Sequence, residues 1–365
     1  MFTRFVAVYS KSARIVLDFL VLFTVLNIGA FVIEKVHPEK GVVLDFDYAP
    51  YRMMKQVHGP WPLNDDGFRA PPLAQLEAHS GDFFNIVFIG GSVCLGAGGE
   101  NGAPLPQLVE EMLRKKGMGK IRVINLCQGG TVTAQEFAIF LQYGLPLEPA
   151  LLVSFNGSND LFHPAPIGFD EKPNLPYLDD EMRALWTQGR LGAGLTSALR
   201  SLPISHLLRR VNKHFRMHPA SGPGVSVEEA VGSYVFGLDL TARLARSYKI
   251  PYAVFLQPTL YVAKKIHHEE LERISDPFQD PKRVSERANQ LYALARKQLT
   301  TWSGKSGVRL FDLTQTYRDT AEPLYSDSVH FGSALGYQLL LANLGEQGFV
   351  SYVEGLYGRW ASTHH

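Results

Sequence analysis

The 365-residue chain has only two cysteines, Cys94 and Cys127. That is too few for a disulfide scaffold or a cysteine-rich zinc site. It also lacks an excess of either charge: 36 Lys+Arg stand against 35 Asp+Glu, a formal net charge of +1. No global field therefore draws it to a polyanion, and no nucleic-acid partner is expected. Charged residues make up 19% and hydrophobic residues 45%, which excludes a mainly disordered chain. No internal repeat or low-complexity tract interrupts it. A glycine-rich dinucleotide signature is missing too, because neither Gly90-x-Ser92 nor Gly96-x-Gly98-x-x-Asn101 completes G-x-G-x-x-G. The length admits two domains, or one α/β domain with appendages.

What is present begins with a long apolar run. From Ile15 to Ile33 the chain reads IVLDFLVLFTVLNIGAFVI, with Asp18 and Asn27 its strongly polar members. A bilayer span needs about 20 mostly apolar residues. Arg4, Lys11 and Arg14 precede the run, with no acidic residue before Asp18. The positive-inside bias then predicts a cytoplasmic N-terminus and an extracytoplasmic body, anchored in a membrane through residues 15–33. A cleaved signal peptide is the weaker reading, since Asn27-Ile28-Gly29-Ala30 makes a poor cleavage exit. Asp18 either snorkels to the interface or meets a membrane-protein partner.

Residues 36–80 hold several prolines and few apolar runs and read as a linker that becomes an edge-packing segment. Beyond it come five short apolar runs: Asn85–Gly90, Ile121–Cys127, Ala150–Asn156, Tyr252–Pro258 and Val308–Leu313. Continuous, β-branched-rich runs predict strands buried on both faces. Helical patterns alternate with them at Leu105–Lys116, Thr133–Tyr143, Val227–Tyr248, Pro281–Trp302 and Ser333–Gly345. The expectation is a doubly wound α/β domain with a parallel five-stranded, flavodoxin-like sheet and right-handed crossovers over 81–350. Residues 163–225 read as an insertion into it, and 351–365 as a C-terminal tail. Within the insertion, Ile204, Leu207, Leu208, Val211 and Phe215 share one helical face, with Arg209, Arg210, Lys213 and Arg216 elsewhere. That pattern suits a helix packed on its own domain or a basic surface for anionic lipid or glycan.

Ligands of such sheets bind beyond the carboxyl ends of the strands. There the chain places Gly90-Gly91-Ser92, Cys127-Gln128-Gly129-Gly130-Thr131, Asn156-Gly157-Ser158-Asn159-Asp160 and, before the last helix, Asp327-Ser328-Val329-His330. Each piece has a job in acyl transfer. Ser92 follows two glycines that let the strand turn sharply and expose its hydroxyl. A serine hydroxyl is a weak nucleophile until a base takes its proton, and His330 is the candidate base. Asp327 is placed to hold the imidazole tautomer. The backbone N–H groups of Ser92 and Gly130 and the Asn159 amide are candidate donors to a developing oxyanion. Taken singly, such residues are usually turn formers, caps and loop residues; together, in order, at four strand ends, they point to chemistry.

The set resembles the SGNH (GDSL-like) hydrolases, of a membrane-anchored bacterial type, over roughly residues 83–346 apart from the insertion. The resemblance implies a serine esterase with Ser92, Asp327 and His330 as the catalytic residues and Ser92, Gly130 and Asn159 as the oxyanion hole. It implies an acyl-ester substrate, with an O-acetylated cell-surface glycan as the first candidate, and no cofactor or metal. The chain departs from the family in having Gly-Gly-Ser where Gly-Asp-Ser is usual, and Cys127 where glycine is common. Gly129 or Gly130 could be the second donor, and Gly130 is preferred. An O-acyltransferase using the same residues, or a non-catalytic subunit of a membrane assembly, remains the alternative.

Other chemistries fit less well. An α/β-hydrolase elbow, G-x-S-x-G, would need glycine at Cys94. His267-His268-Glu269-Glu270 are adjacent and splay around a helix, so they read as a solvated face and not as a metal site. Cys94 and Cys127 follow neighbouring strands and stand either as a disulfide, in an oxidising compartment, or as two buried thiols.

Overall fold

The computed structural model of the chain describes residues 2–36, 45–49, 52–97, 103–162, 202–205, 225–274 and 281–364. The chain divides into two compact units, Met1–Gly41 with Asp179–Gly224, and Val42–Leu178 with Val225–His365. In the first unit, α1 runs over Phe2–Val36 and contains Ala13–Ile33, a stretch long and apolar enough to cross a membrane. Its apolar side chains are bare, Ile15 62% and Phe19 64% exposed, unlike those of a buried core helix. Phe23, Asn27 and Ala30, spaced four and three apart, form the covered stripe. Asn27 is satisfied within this unit: its amide donates to Phe23 O at 2.8 Å and its Oδ1 accepts from the Ile204 N–H at 3.2 Å. Most of the insertion at 163–225, including the basic residues of its amphipathic segment, lies outside the described residues.

The second unit is built on five strands: β3 (Phe84–Gly90), β4 (Ile121–Asn125), β5 (Leu151–Asn156), β6 (Tyr252–Leu256) and β7 (Arg309–Asp312). They are parallel, in the order β4-β3-β5-β6-β7, as the five apolar runs predict. Alternate residues of each strand feed two cores. Phe84, Ile86 and Phe88 pack with α3 (Ser92–Leu95), α4 (Leu105–Lys115), α11 (Ala334–Glu346) and α12 (Phe349–Ala361). Val87 and Ile89 pack on the other face with α5 (Thr133–Ile139), α7 (Val227–Ser247) and α10 (Pro281–Ser306). This two-sided burial explains why the strands read as unbroken apolar runs. The edge strand β4 is covered by α4, whose Glu110 accepts the Val123 N–H and whose Arg114 donates to Ile121 O. Blocking these outward backbone groups removes a template for edge pairing.

Two parts of the sequence reading need correction. The presumed linker contains an antiparallel hairpin, β1 (Asp45–Ala49) with β2 (Met53–His58), followed by the short α2 (Leu73–Ala78). The hairpin is anchored by polar groups that carry no hydropathy signal: Met54 O accepts from Gln128 at 2.9 Å, and buried Arg52 stacks between the rings of Phe68 and Tyr143, 4.8 Å from each. The presumed C-terminal tail is largely α12, with Phe349, Val353 and Leu356 buried at helical spacing. Phe349 closes an aromatic row across the sheet, its ring 5.0 Å from Phe255 and 5.4 Å from Phe311. Phe349→Ala should therefore lower unfolding stability by about 3–5 kcal/mol. Urea titration of the detergent-solubilised chain measures this, and a loss below about 1 kcal/mol would contradict the packing role of α12.

Candidate active site

In this strand order the chain leaves β3 toward β4 on one side and later enters β5 on the other. The carboxyl ends of β3 and β5 thus flank the crevice where doubly wound sheets bind ligands. Ser92 opens α3 directly after β3, and Asn159 lies in α6 (Ser158–Phe162) directly after β5. Between Gly90 and Ser92 the backbone is not left-handed: Gly91 has φ −84°. Lack of room, not turning, requires the glycines. A Cβ on Gly90 would sit 2.3 Å from Phe155 O, and one on Gly91 would sit 2.8 Å from the Asn159 amide nitrogen. The Gly91 position thus lets Asn159 approach the residue next to Ser92. Gly130, by contrast, is left-handed, with φ +73°.

The structure brings Ser92, His330 and Asp327 into one hydrogen-bonded line. His330 Nε2 lies 2.7 Å from Ser92 Oγ, and His330 Nδ1 lies 2.7 Å from Asp327 Oδ2. The carboxylate fixes Nδ1 as the protonated nitrogen, leaving Nε2 to accept from the serine hydroxyl. Asp327 Oδ1 accepts the backbone N–H groups of Val329 and His330 at 2.8 and 2.7 Å. Burial works to raise the Asp327 carboxyl. The hydrogen bond and charge of His330 and those two N–H groups outweigh it and hold the carboxyl below its ordinary value. The loop closes on itself through Ser326 N–H to His330 O at 2.9 Å, Gly332 N–H to Leu324 O at 2.8 Å and the Tyr325–Phe331 bridge. Tyr337 of α11 donates to Val93 O at 2.8 Å, tying the helix after this loop to α3.

On the other side of Ser92 stand Gly130 and Asn159, both half-buried among buried neighbours. Asn159 Nδ2 donates one hydrogen to Thr131 O at 2.8 Å, so the amide has its second hydrogen for another acceptor. The N–H of Ser92, as the first residue of α3, has no acceptor within the helix. The Gly129–Thr131 turn is pinned to the end of β3: Gln128 N–H donates to Gly90 O at 2.9 Å, and Thr131 Oγ1 is 3.0 Å from the same oxygen. Cys94 and Cys127 form a disulfide between α3 and this turn, which resolves the alternative left open in the sequence.

Behind the turn lies a buried acidic pair, Glu136 and Asp160. Asp160 Oδ1 accepts the Thr133 N–H and hydroxyl at 2.9 and 2.7 Å, which joins α6 to the start of α5. Glu136 Oε2 accepts from Asn156 at 2.5 Å, and Asn156 Oδ1 accepts from Tyr234 at 2.8 Å. Glu136 Oε1 and Asp160 Oδ2 have no hydrogen-bond partner among the described residues. Burial raises both carboxyls, and the charge of Asp160 raises Glu136 further. Spacing could have suggested Glu136, but only the fold reveals its burial. The His267-His268-Glu269-Glu270 segment also needs correction. His267, His268 and Glu269 keep their ligand atoms within 4.8 Å of one another at the surface, whereas Glu270 turns inward and is fully buried.

No protein-family model matches the sequence, and no curated protein does. Among solved structures, the chain is similar to a GDSL-like lipase from Bacteroides thetaiotaomicron at 11% identity, covering 77% of this chain and 98% of that one, TM-score 0.40. It is similar to a lipase/acylhydrolase from Enterococcus faecalis at 18% identity, covering 75% and 96%, TM-score 0.41. It is also similar to an acetyl xylan esterase at 15% identity, covering 72% and 98%, TM-score 0.42. These are distant likenesses.

The buried acids have a consequence for stability. A carboxyl whose folded-state pKa is raised binds more protons folded than unfolded, so its contribution is fully present below its unfolded pKa, about 4, and is lost as pH rises. Glu136→Gln should leave stability nearly unchanged at pH 4 and increase it by on the order of 1 kcal/mol at pH 8. Thermal melts across that range check it; a difference independent of pH would contradict the raised carboxyl.

Proposed function

We propose that the chain is a membrane-anchored serine esterase that cleaves small acyl esters, with O-acetyl groups of cell-surface glycan as its substrate class. The observation that carries this reading is the line Ser92 Oγ–His330 Nε2–His330 Nδ1–Asp327 Oδ2, with 2.7 Å at each step between residues. In the first half-reaction Ser92 Oγ bonds to the ester carbonyl carbon as its proton passes to His330 Nε2. The oxyanion that forms is met by the N–H groups of Ser92 and Gly130 and the second Asn159 amide hydrogen. His330 then returns the proton to the leaving alcohol as the C–O bond breaks, leaving an acyl-Ser92. In the second half water attacks the acyl carbon, giving its proton to His330 Nε2, and Ser92 is released with its hydroxyl restored. Asp327 remains a carboxylate throughout and stabilises the imidazolium.

The sequence and the disulfide support an extracytoplasmic placement of the domain. Arg4, Lys11 and Arg14 on the near side of the apolar run favour a cytoplasmic N-terminus and an extracytoplasmic body. A Cys94–Cys127 disulfide beside the nucleophile suits an oxidising compartment such as the periplasm. A tethered esterase meets esters held near the membrane surface, and acylated glycan is the class proposed for them.

Hydrolysis of p-nitrophenyl acetate by the detergent-solubilised chain tests the reading. Ser92→Ala or His330→Ala should each lower kcat by about 10⁴ or more, and Asp327→Asn by about 10⁴. Asn159→Ala should lose about 10²–10³. Ser92→Ala with the wild-type rate would overturn the proposal.

A further inference from the structure

The loop that carries Asp327 and His330 is held from outside by a buried ion pair that no catalytic motif includes. After β6 the chain passes through α8 (Leu260–Ala263) to Lys264 and then into α9 (His268–Ile274), which carries Glu270 in its first turn. The side chains of Lys264 and Glu270 are both 0% exposed, with Lys264 Nζ 3.0 Å from Glu270 Oε2 and 3.3 Å from Oε1. Lys264 also donates to Glu322 O. Glu270 Oε1 accepts the backbone N–H groups of Leu324 and Tyr325 at 2.8 and 3.0 Å, and Oε2 accepts the His267 N–H at 3.0 Å.

The two donors Leu324 and Tyr325 sit at the neck of the loop. Leu324 O receives the Gly332 N–H, and Tyr325 bridges Phe331, so Leu324 and Tyr325 set where the segment begins its turn toward Asp327. The same post-β6 segment holds the far end of the loop, since the Leu260 N–H donates to Ser328 O at 3.0 Å. Burial works to raise the Glu270 carboxyl, yet the N–H groups of His267, Tyr325 and Leu324 and the Lys264 ammonium hold it below its ordinary value. A buried ion pair is poor evidence of added stability, because apolar replacements of similar volume often serve as well or better. A carboxylate that spends one oxygen on two consecutive backbone N–H groups of another loop has a more specific use, which is to fix where that loop sits.

We propose that Lys264 and Glu270 are positioning residues: Glu270, paired with Lys264, sets the register of the Asp327–His330 loop so that His330 Nε2 reaches Ser92. This rests on the esterase reading above. Displacing a reacting group by about 1 Å can cost about 10²-fold in rate, so the effect belongs in kcat and not in KM.

Two double variants of the full chain separate positioning from stability. K264M/E270L removes both charges with apolar groups and leaves the Leu324 and Tyr325 N–H groups without their acceptor. K264M/E270Q also removes the charges but keeps an amide oxygen for those N–H groups. The proposal predicts that K264M/E270L, folded by circular dichroism, loses about 10- to 100-fold in kcat on p-nitrophenyl acetate with KM nearly unchanged. K264M/E270Q should rescue most of that loss. The rate of Ser92 labelling by a fluorophosphonate should follow kcat in both. Wild-type kcat in folded K264M/E270L would overturn the proposal and leave the pair a packing feature. If that variant does not fold, Glu270→Asp decides, because it keeps the pair with Lys264 but withdraws the carboxylate by one methylene. Reduced kcat at constant KM then supports positioning, and unchanged kcat overturns it. Failure of the esterase reading is separately visible, as wild-type protein that neither hydrolyses the ester nor takes the label.

Discussion

Ser92 and His330 stand 238 positions apart in the chain and meet at 2.7 Å. A hydrogen bond of that length tolerates a few tenths of an ångström, so both ends must be fixed by structure outside themselves. At one end, β3 delivers Ser92 from an inner strand of a sheet buried on both faces, and Gly90 and Gly91 leave room for the close approach of Phe155 O and Asn159. At the other end, Asp327 accepts two N–H groups of its own loop as well as the imidazole. The rings of Tyr317, Tyr325, Phe331 and Tyr337 pack edge to face or tilted beneath that loop, with centroids 5.0–5.8 Å apart. Most of what surrounds the site can be understood as holding these two ends at one distance.

The electrostatics divide in the same way. Asp327 is kept ionised by donors and so can stabilise a cation on His330. Glu136 and Asp160, behind the proposed oxyanion donors, are pushed by burial toward the neutral form. That difference suits the chemistry: negative charge is welcome beside an imidazolium, and unwelcome behind donors that must face a developing oxyanion.

The legible parts of this molecule are those in which burial and hydropathy agree. Each of the five strands is a continuous apolar run because helices cover both faces of the sheet, and the residues at their carboxyl ends could be read off in order. The hairpin at residues 45–58 gives little hydropathy signal because the buried Arg52 guanidinium and the Gln128 amide help to anchor it. In α12 the signal was present, at Phe349, Val353 and Leu356, but it is short and terminal. Glu270 was assigned to a solvated face since its neighbours His267, His268 and Glu269 look identical in character. Only the partner Lys264 and two amides from residues 324–325, brought by the fold, make it an interior residue. Gly91 reads in the sequence as a turn former, whereas glycine there leaves room for Asn159 of α6.

The most direct measurement treats the full chain in detergent with a fluorophosphonate and locates the adduct by mass spectrometry, with His330→Ala alongside. The account predicts one adduct, on Ser92, that the His330 substitution abolishes. Folded wild-type protein without an adduct, or a Ser92 adduct that forms equally fast without His330, would contradict an activated serine at this site.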